Sequence, residues 1–315
     1  MNDEGSDNQS IDEQDCQVLL ERALFGSPDE EEDLFDSEEQ DGISEHVWTC
    51  PTNAEDARDE ISIVYHLAFL APGHGDSLWN SSRCIAEHIL NPKRRADLLG
   101  TLQPSDNERE DCVFNWPPKT CLEFGAGAAL PSLALLKEGA QRVVFTDRYV
   151  NEQTFDALKL SVEKNALAWS IDDDDIRRRA IITNHTWGEE IEALSQVVDA
   201  EPCNDAHDVD LLIASDCIYN PTYHGALLQS ASVLINQSTG LLIVGYSLHG
   251  NAPACHVERF FTEAKEQYGL DILRELKVEY SEGQIGIGSE DESRGNVYLK
   301  ILASRDSIHF KNDIA

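Results

Sequence analysis

Positive charge is what this chain has least of. Its 315 residues carry 24 lysines and arginines against 59 aspartates and glutamates, a formal net charge of -35 and a pI near 4.4. Such a surface repels phosphate backbones and anionic lipid headgroups, which excludes nucleic acid and the membrane surface as general partners. It suits a basic protein partner or a small ligand. Long apolar runs are missing as well: nothing approaches the ~20 residues needed to span a bilayer. The N-terminus is acidic, unlike the Lys/Arg-led apolar start of a secretory signal or transit peptide. Paired cysteines are missing. Eight lie at positions 16, 50, 84, 112, 121, 203, 217 and 255, none in C-x-x-C spacing and none grouped with histidine at zinc-ligand spacing. A reduced cytoplasmic or nuclear protein without a metal is the expectation. There is no Gly-x-Ser-x-Gly elbow, no P-loop lysine and no metal-ligand helix.

The first 50 residues hold 17 acids and one base, Arg22. That composition buries too little apolar surface to offset chain entropy, so 1–60 is expected to be a disordered acidic tail. Inside it Leu24-Phe25-Gly26-Ser27 and Leu34-Phe35-Asp36-Ser37 repeat a Leu-Phe-x-Ser core. They read as docking motifs for a partner, as acid-directed phosphorylation sites, or as chance in a biased segment. Order is expected from Ile61, with a β-prone run Ile61–Leu70. A helix over Arg83–Leu90 follows, capped by Ser81 or Ser82 and stopped before Pro92. Residues 91–111 read as a loop with Lys93-Arg94-Arg95 on its solvated face, so 61–111 forms an N-terminal extension.

From Thr120 strand and helix alternate. Strands are expected at Thr120–Phe124, Arg142–Thr146, Ala180–Thr183, Val209–Ser215 and Gly240–Tyr246, then Leu270–Tyr280 and Asn296–Ala303 joined by a Gly-rich hairpin. Helices are expected at Leu130–Lys137, Thr154–Asn165, Thr222–Ile235 and Cys255–Tyr268, with 171–179 a charged loop. The pattern predicts an α/β domain over 112–305: a mostly parallel, seven-stranded sheet with helices on both faces and one antiparallel strand, followed by a C-terminal tail over 306–315.

In such sheets ligands bind beyond the carboxyl ends of the strands. After the first core strand come Glu123, Gly125, Ala126 and Gly127. Glycine lets the backbone turn tightly and approach a ligand, and the following helix N-terminus favours a carboxylate. Glu123 is placed to receive an ammonium. Asp147 closes the second strand, where a carboxylate accepts both hydroxyls of a ribose. An acid two residues before the first glycine tilts the ligand from a dinucleotide toward S-adenosyl-L-methionine. Trp187, after the third strand, is either a flat wall for adenine or a core residue. Ser215 and then Asp216, Cys217, Ile218, Tyr219 and Asn220 follow the fourth strand. Asp216 and Tyr219 are the catalytic candidates. Asn220, Tyr246 and His249 look like a substrate pocket.

These residues resemble a known family. E-F-G-A-G-A-A-L-P-S, the Asp at 147, T-W-G and above all S-D-C-I-Y are similar to the Rossmann-like class I methyltransferases of methyltransferase family 16. L-W-N-S-S-R and S-D-C-I-Y-N-P-T-Y-H are similar to its fungal branch. That branch is named for nicotinamide N-methyltransferase and includes elongation-factor N-terminal and lysine methyltransferases. The resemblance covers roughly 61–305. It implies an S-adenosylmethionine-dependent N-methyltransferase acting on a protein lysine or N-terminal amine. The alternatives are a small-molecule acceptor of the nicotinamide type and a non-catalytic module on the same fold. It places Glu123, Gly125 and Gly127 at the cofactor loop, Asp147 at the ribose, Trp187 at the adenine and Trp79 over the cofactor. The His-x-Arg-Pro that follows the fifth strand in relatives is replaced here by His249-Gly250-Asn251-Ala252-Pro253.

Overall fold

The computed structural model describes residues 42–51, 60–68, 77–99, 114–198, 209–248, 253–279 and 296–311. Two strands come first, β1 (Ile43–Pro51) and β2 (Glu60–Ala68), paired antiparallel as a ribbon. Helices α1 (Asn80–Leu90) and α2 (Pro92–Leu99) follow. The main body then runs β3 (Thr120–Phe124), α3 (Leu130–Glu138), β4 (Arg142–Asp147), α4 (Glu152–Ala168), α5 (Asp173–Arg179) and β5 (Ala180–Asn184). It continues with α6 (Ile191–Val198), β6 (Leu211–Ser215), a 3-10 turn (Pro221–Tyr223), α7 (His224–Leu234) and β7 (Leu241–Tyr246). Last come α8 (Ala254–Tyr268), β8 (Leu270–Glu279), β9 (Asn296–Ser304) and the short α9 (Ile308–Lys311).

Strand order in the seven-stranded sheet is β5-β4-β3-β6-β7-β9-β8, with β9 antiparallel to both its neighbours. β3 pairs in parallel with β4 on one side and β6 on the other. The order therefore reverses at β3/β6, which opens a crevice at their carboxyl ends. Strand alternation sends Cys121, Val143, Phe145, Leu211, Ile213, Leu241 and Ile243 to one face. Leu122, Phe124, Val144, Leu212, Ala214, Leu242 and Val244 go to the other. The first face is covered by α1, α3, α4 and the ribbon, the second by α6, α7 and α8.

Several boundaries differ from the sequence expectation. Order begins before Ile61: β1 lies in the segment expected to be tail, with Trp48 and Cys50 buried against the common core. The ribbon and α1 are part of that core rather than an extension from it, since Ile63, Tyr65, Ile85 and Leu98 pack in one cluster with Leu130 and Leu133. The outer edge of β2 is satisfied by α4. The Val64 N–H donates to Asn165 Oδ1 at 3.0 Å, and the His66 N–H donates to Ser161 Oγ at 2.9 Å.

Residues 92–99 are helix rather than loop. Pro92 sits at the first helical position, and Asn91 Oδ1 accepts from the N–H groups of Lys93 and Arg94 at 3.0 and 3.1 Å. Arg95 is not a solvated loop residue: it pairs with Glu138 and stacks 4.5 Å from the centre of the Trp116 ring. The charged run 171–179 contains α5, capped by Asp172, with acids in its first turn and arginines in its last. Residues 306–311 are docked, with Ser307 Oγ donating to Ser238 O at 2.8 Å and His309 buried. The expected Gly-rich hairpin, most of the acidic tail and both Leu-Phe segments lie outside the described residues.

Candidate functional site

A cavity of about 370 Å³ fills the crevice at the ends of β3, β4 and β6. It is of the size that encloses small ligands. Ten of the thirteen residues expected at the site line it: Trp79, Glu123, Gly125, Ala126, Gly127, Asp147, Trp187, Ser215, Asp216 and Tyr219.

The turn leaving β3 is left-handed three times, at Gly125 (φ 59°), Gly127 (φ 49°) and Ala129 (φ 53°). A Cβ on Gly127, which lines the cavity, would meet nothing within 4 Å, so its backbone is open to approach there. A Cβ on Gly125 would stand 3.1 Å from Cys217 Sγ and 3.4 Å from Trp187, so the turn is pressed against the cavity wall there. Asp147 secures the turn: its Oδ2 accepts from the Gly127 N–H at 2.9 Å and its Oδ1 from the Arg148 N–H at 2.7 Å. Each oxygen keeps a lone pair. Burial raises the Asp147 carboxyl above its ordinary value, against those two donors.

Glu123 is buried (1% exposed), and its Oε2 accepts from the Ser132 N–H in the first turn of α3 at 3.1 Å. Burial pushes its carboxyl up to about 8. A carboxyl so enclosed gains most from a cation brought in beside it.

Asp216 also lines the cavity and stands at φ 52° just past β6, with its N–H donating to Gly245 O at 2.8 Å. Its Oδ2 accepts from Ser81 Oγ, and Ser81 Oγ lies 2.7 Å from Ser215 Oγ. Burial pushes the Asp216 carboxyl up to about 6. Burial likewise raises the Tyr219 phenol. Trp187 meets Tyr223 edge-on at 6.5 Å between ring centres.

Of the expected substrate pocket, neither described residue lines the cavity. Asn220 Oδ1 accepts from the Thr222 N–H at 3.0 Å and caps the 3-10 turn instead of lining the cavity. Tyr246 is buried between Phe261 and Tyr298, stacked on the latter at 5.4 Å. As the last residue of a strand whose neighbours alternate, it points to the α8 face. His249 lies outside the described residues.

Other lining residues were not anticipated: His66, Arg148, Thr154, His185 and Tyr223 among them. A histidine in the apolar run 61–68 was the one available signal for His66. Its Nε2 stands 3.3 Å from Glu45 Oε2 and its Nδ1 3.2 Å from Ser161 Oγ. His185 is buried, bonded to Ser230 Oγ at 3.0 Å, with burial lowering its pKa to about 4. Among the described residues no group of His, Cys, Asp and Glu is arranged to hold a metal ion, and no helix is long and apolar enough to cross a membrane.

Residues 65–267 match the family model described as lysine methyltransferase. Among curated proteins, the protein N-terminal and lysine N-methyltransferase EFM7 of Cryptococcus neoformans is 26% identical over 227 residues, covering 68% of this chain and 64% of that one. The Yarrowia lipolytica protein of the same description is 24% identical over 275 residues, covering 84% and 90%. That of Candida glabrata is 27% identical over 233 residues, covering 74% and 76%. The chain thus spans just under two thirds of the first relative's length and most of the other two.

Proposed function

The chain belongs to the lysine methyltransferase family, and from that membership and the lining of the cavity we propose that it transfers a methyl group from S-adenosylmethionine to a lysine or N-terminal amine of a protein. The carrying observation is that Glu123 and Asp147, two enclosed carboxyls, flank the Gly125–Gly127 turn on one cavity wall.

The residues fit that cofactor. The space above Gly127 admits a ligand against bare backbone. Asp147 offers lone pairs to a ribose diol, Glu123 offers a buried carboxyl to an ammonium, and Trp187 offers a flat face to a purine. The bound sulfonium supplies an activated methyl, so the protein's task is positioning, worth several kcal/mol when the nucleophile is held in line.

Asp216 and Tyr219, past the neighbouring strand β6, carry that task. An amine must arrive neutral, and a lysine has a reference pKa of about 10.4. Asp216 accepts a hydrogen bond from the amine and aims its lone pair. Tyr219 supplies a second polar contact in a desolvated setting that favours the neutral amine. The acidic surface attracts a basic substrate protein, and the Leu-Phe segments of the N-terminal region offer a docking element for a partner.

Calorimetry with S-adenosylmethionine tests the site, and absence of binding at millimolar ligand rejects it. Labelled cofactor incubated with cell extract, followed by mass spectrometry of what carries the label, tests the acceptor. Label on small molecules alone would replace the protein substrate with a metabolite. Asp216→Ala is expected to lower turnover at least tenfold while S-adenosylhomocysteine affinity changes less.

A further inference from the structure

We infer that Ser81, in the first turn of α1, is a positioning residue for methyl transfer, fixing both the Asp216 carboxylate and the Ser215 hydroxyl at the acceptor side of the cavity. The inference rests on the methyltransferase reading and brings in a residue far in sequence from the loop that carries Asp216.

The hydrogen-bond arithmetic is closed. Ser81 Oγ contacts Asp216 Oδ2 and lies 2.7 Å from Ser215 Oγ. A hydroxyl has one proton, and an ionised carboxylate only accepts. Ser81 therefore gives its proton to Asp216, and Ser215 gives its own to Ser81. This order turns the lone pairs of Ser215, not its proton, toward the cavity it lines. An arriving amine is a donor, and it meets two acceptors.

The placement of Ser81 is itself fixed from three sides. Helix α1 starts after Trp79, whose side chain makes no cap hydrogen bond. The main-chain N–H of Ser81 is directed at the Asp216 carboxyl, as is that of Ser247 from beyond β7. The carboxylate thus holds the first turn of a helix 135 residues away in sequence. At Gly245 of β7 an added Cβ would stand 3.2 Å from Ser81 Cβ and 2.8 Å from Ile85 Cδ1, so α1 rests on bare backbone. Ser81 has no exposed surface.

Burial raises the Asp216 carboxyl, and the Ser81 hydroxyl is the first of the hydrogen bonds that oppose it. The titratable groups on the surrounding elements are Cys217 and Tyr219 of its own loop, Arg83, Cys84, Glu87 and His88 of α1, and Tyr246 of β7. Glu123 and Asp147 share the cavity with His66, Arg148, His185 and Tyr223.

The test uses the full chain with carboxyl-labelled aspartate, the Asp216 resonance being the one lost in Asp216→Asn. Asp216 is expected to titrate near 6 in the wild type. Its midpoint moves up by about one unit in Ser81→Ala and returns in Ser81→Thr, which keeps the hydroxyl. With labelled S-adenosylmethionine and extract protein as acceptor, the acidic limb of the rate profile moves up with it. The rate at pH 6 falls several-fold, while the dissociation constant for S-adenosylhomocysteine stays within about twofold. A folded Ser81→Ala chain whose Asp216 midpoint is unmoved overturns the inference, as does equal loss of cofactor affinity. If Ser81→Ala fails to fold, Ser81→Cys, a weak donor of similar size, is held to the same upward shift. A wild-type chain that binds the cofactor but transfers no label strikes the methyl-transfer reading, and the carboxyl titration still decides whether Ser81 governs Asp216.

Discussion

At the scale of the residue, the site is governed by carboxyls kept from water. Glu123 titrates at about 8 in the folded chain against an ordinary 4.5. Between those values the folded chain holds a proton that the unfolded chain has lost. Stability from this group is complete below pH 4.5 and drains away as pH rises through 8. Glu123→Gln is therefore expected to be more stable than the wild type at pH 8, by on the order of a few kcal/mol, with the gap closing toward pH 4.5. Chemical denaturation of both at several pH values checks this. A cation seated beside Glu123 reverses the preference. Binding of S-adenosylmethionine near pH 7 is expected to release about one proton, read by calorimetry in buffers of different ionisation enthalpy. Gly127→Ala adds a methyl at φ 49° to a residue that lines the cavity, and the chain should lose about 1 kcal/mol of stability and at least tenfold in cofactor affinity.

At the scale of the element, the sheet and the cavity were readable because their signals are local. A glycine turn needs its own residues, and an acid closing a strand is visible where it stands. Glu123, Asp147 and Asp216 were legible for that reason. The substrate pocket was not. Tyr246 closes a strand and Asn220 comes after one, as cavity residues do, but strand alternation turns Tyr246 toward α8 and Asn220 is spent on capping the 3-10 turn. Ser81 carried no mark of its role, since its partner is supplied by a loop 135 residues away. Helix α2 was hidden because Pro92 reads equally well as a stop and as a first helical residue. Helix α5 was hidden because its charges, which suit the helix dipole end by end, lack an apolar face. Strand β1 was hidden inside an acidic average. The attachment of its partner β2 is measurable: Asn165 Nδ2 also donates to Val64 O, so Asn165→Ala removes the α4 partners of both main-chain groups of Val64. The expected cost is about 2–4 kcal/mol, with faster hydrogen exchange confined at first to β1 and β2. Gly245→Ala should cost about 1–3 kcal/mol by forcing α1 away from β7.

At the scale of the whole molecule, charge is the handle on the proposed basic substrate. A formal net charge of -35 over 315 residues attracts a cationic protein at low salt and loses that attraction as the Debye length shrinks to about 8 Å at physiological strength. Methylation of a basic protein is expected to slow several-fold between low and physiological salt, chiefly through association, while cofactor affinity is nearly constant. Rates measured across a potassium chloride series with saturating cofactor distinguish the two. A neutral small acceptor would show no such slope.

The place of β9 between β7 and β8 has a consequence for how the chain comes into being. β8 touches the sheet only through β9, so a polypeptide still emerging from the ribosome has a strand with nowhere to go until residues 296–304 have followed it. The ring stack of Tyr246 on Tyr298 cannot form before then either. The nascent chain is therefore born with an open seam, sealed last, and a ribosome stalled short of that strand would hold out an unfinished sheet edge for chaperones to find.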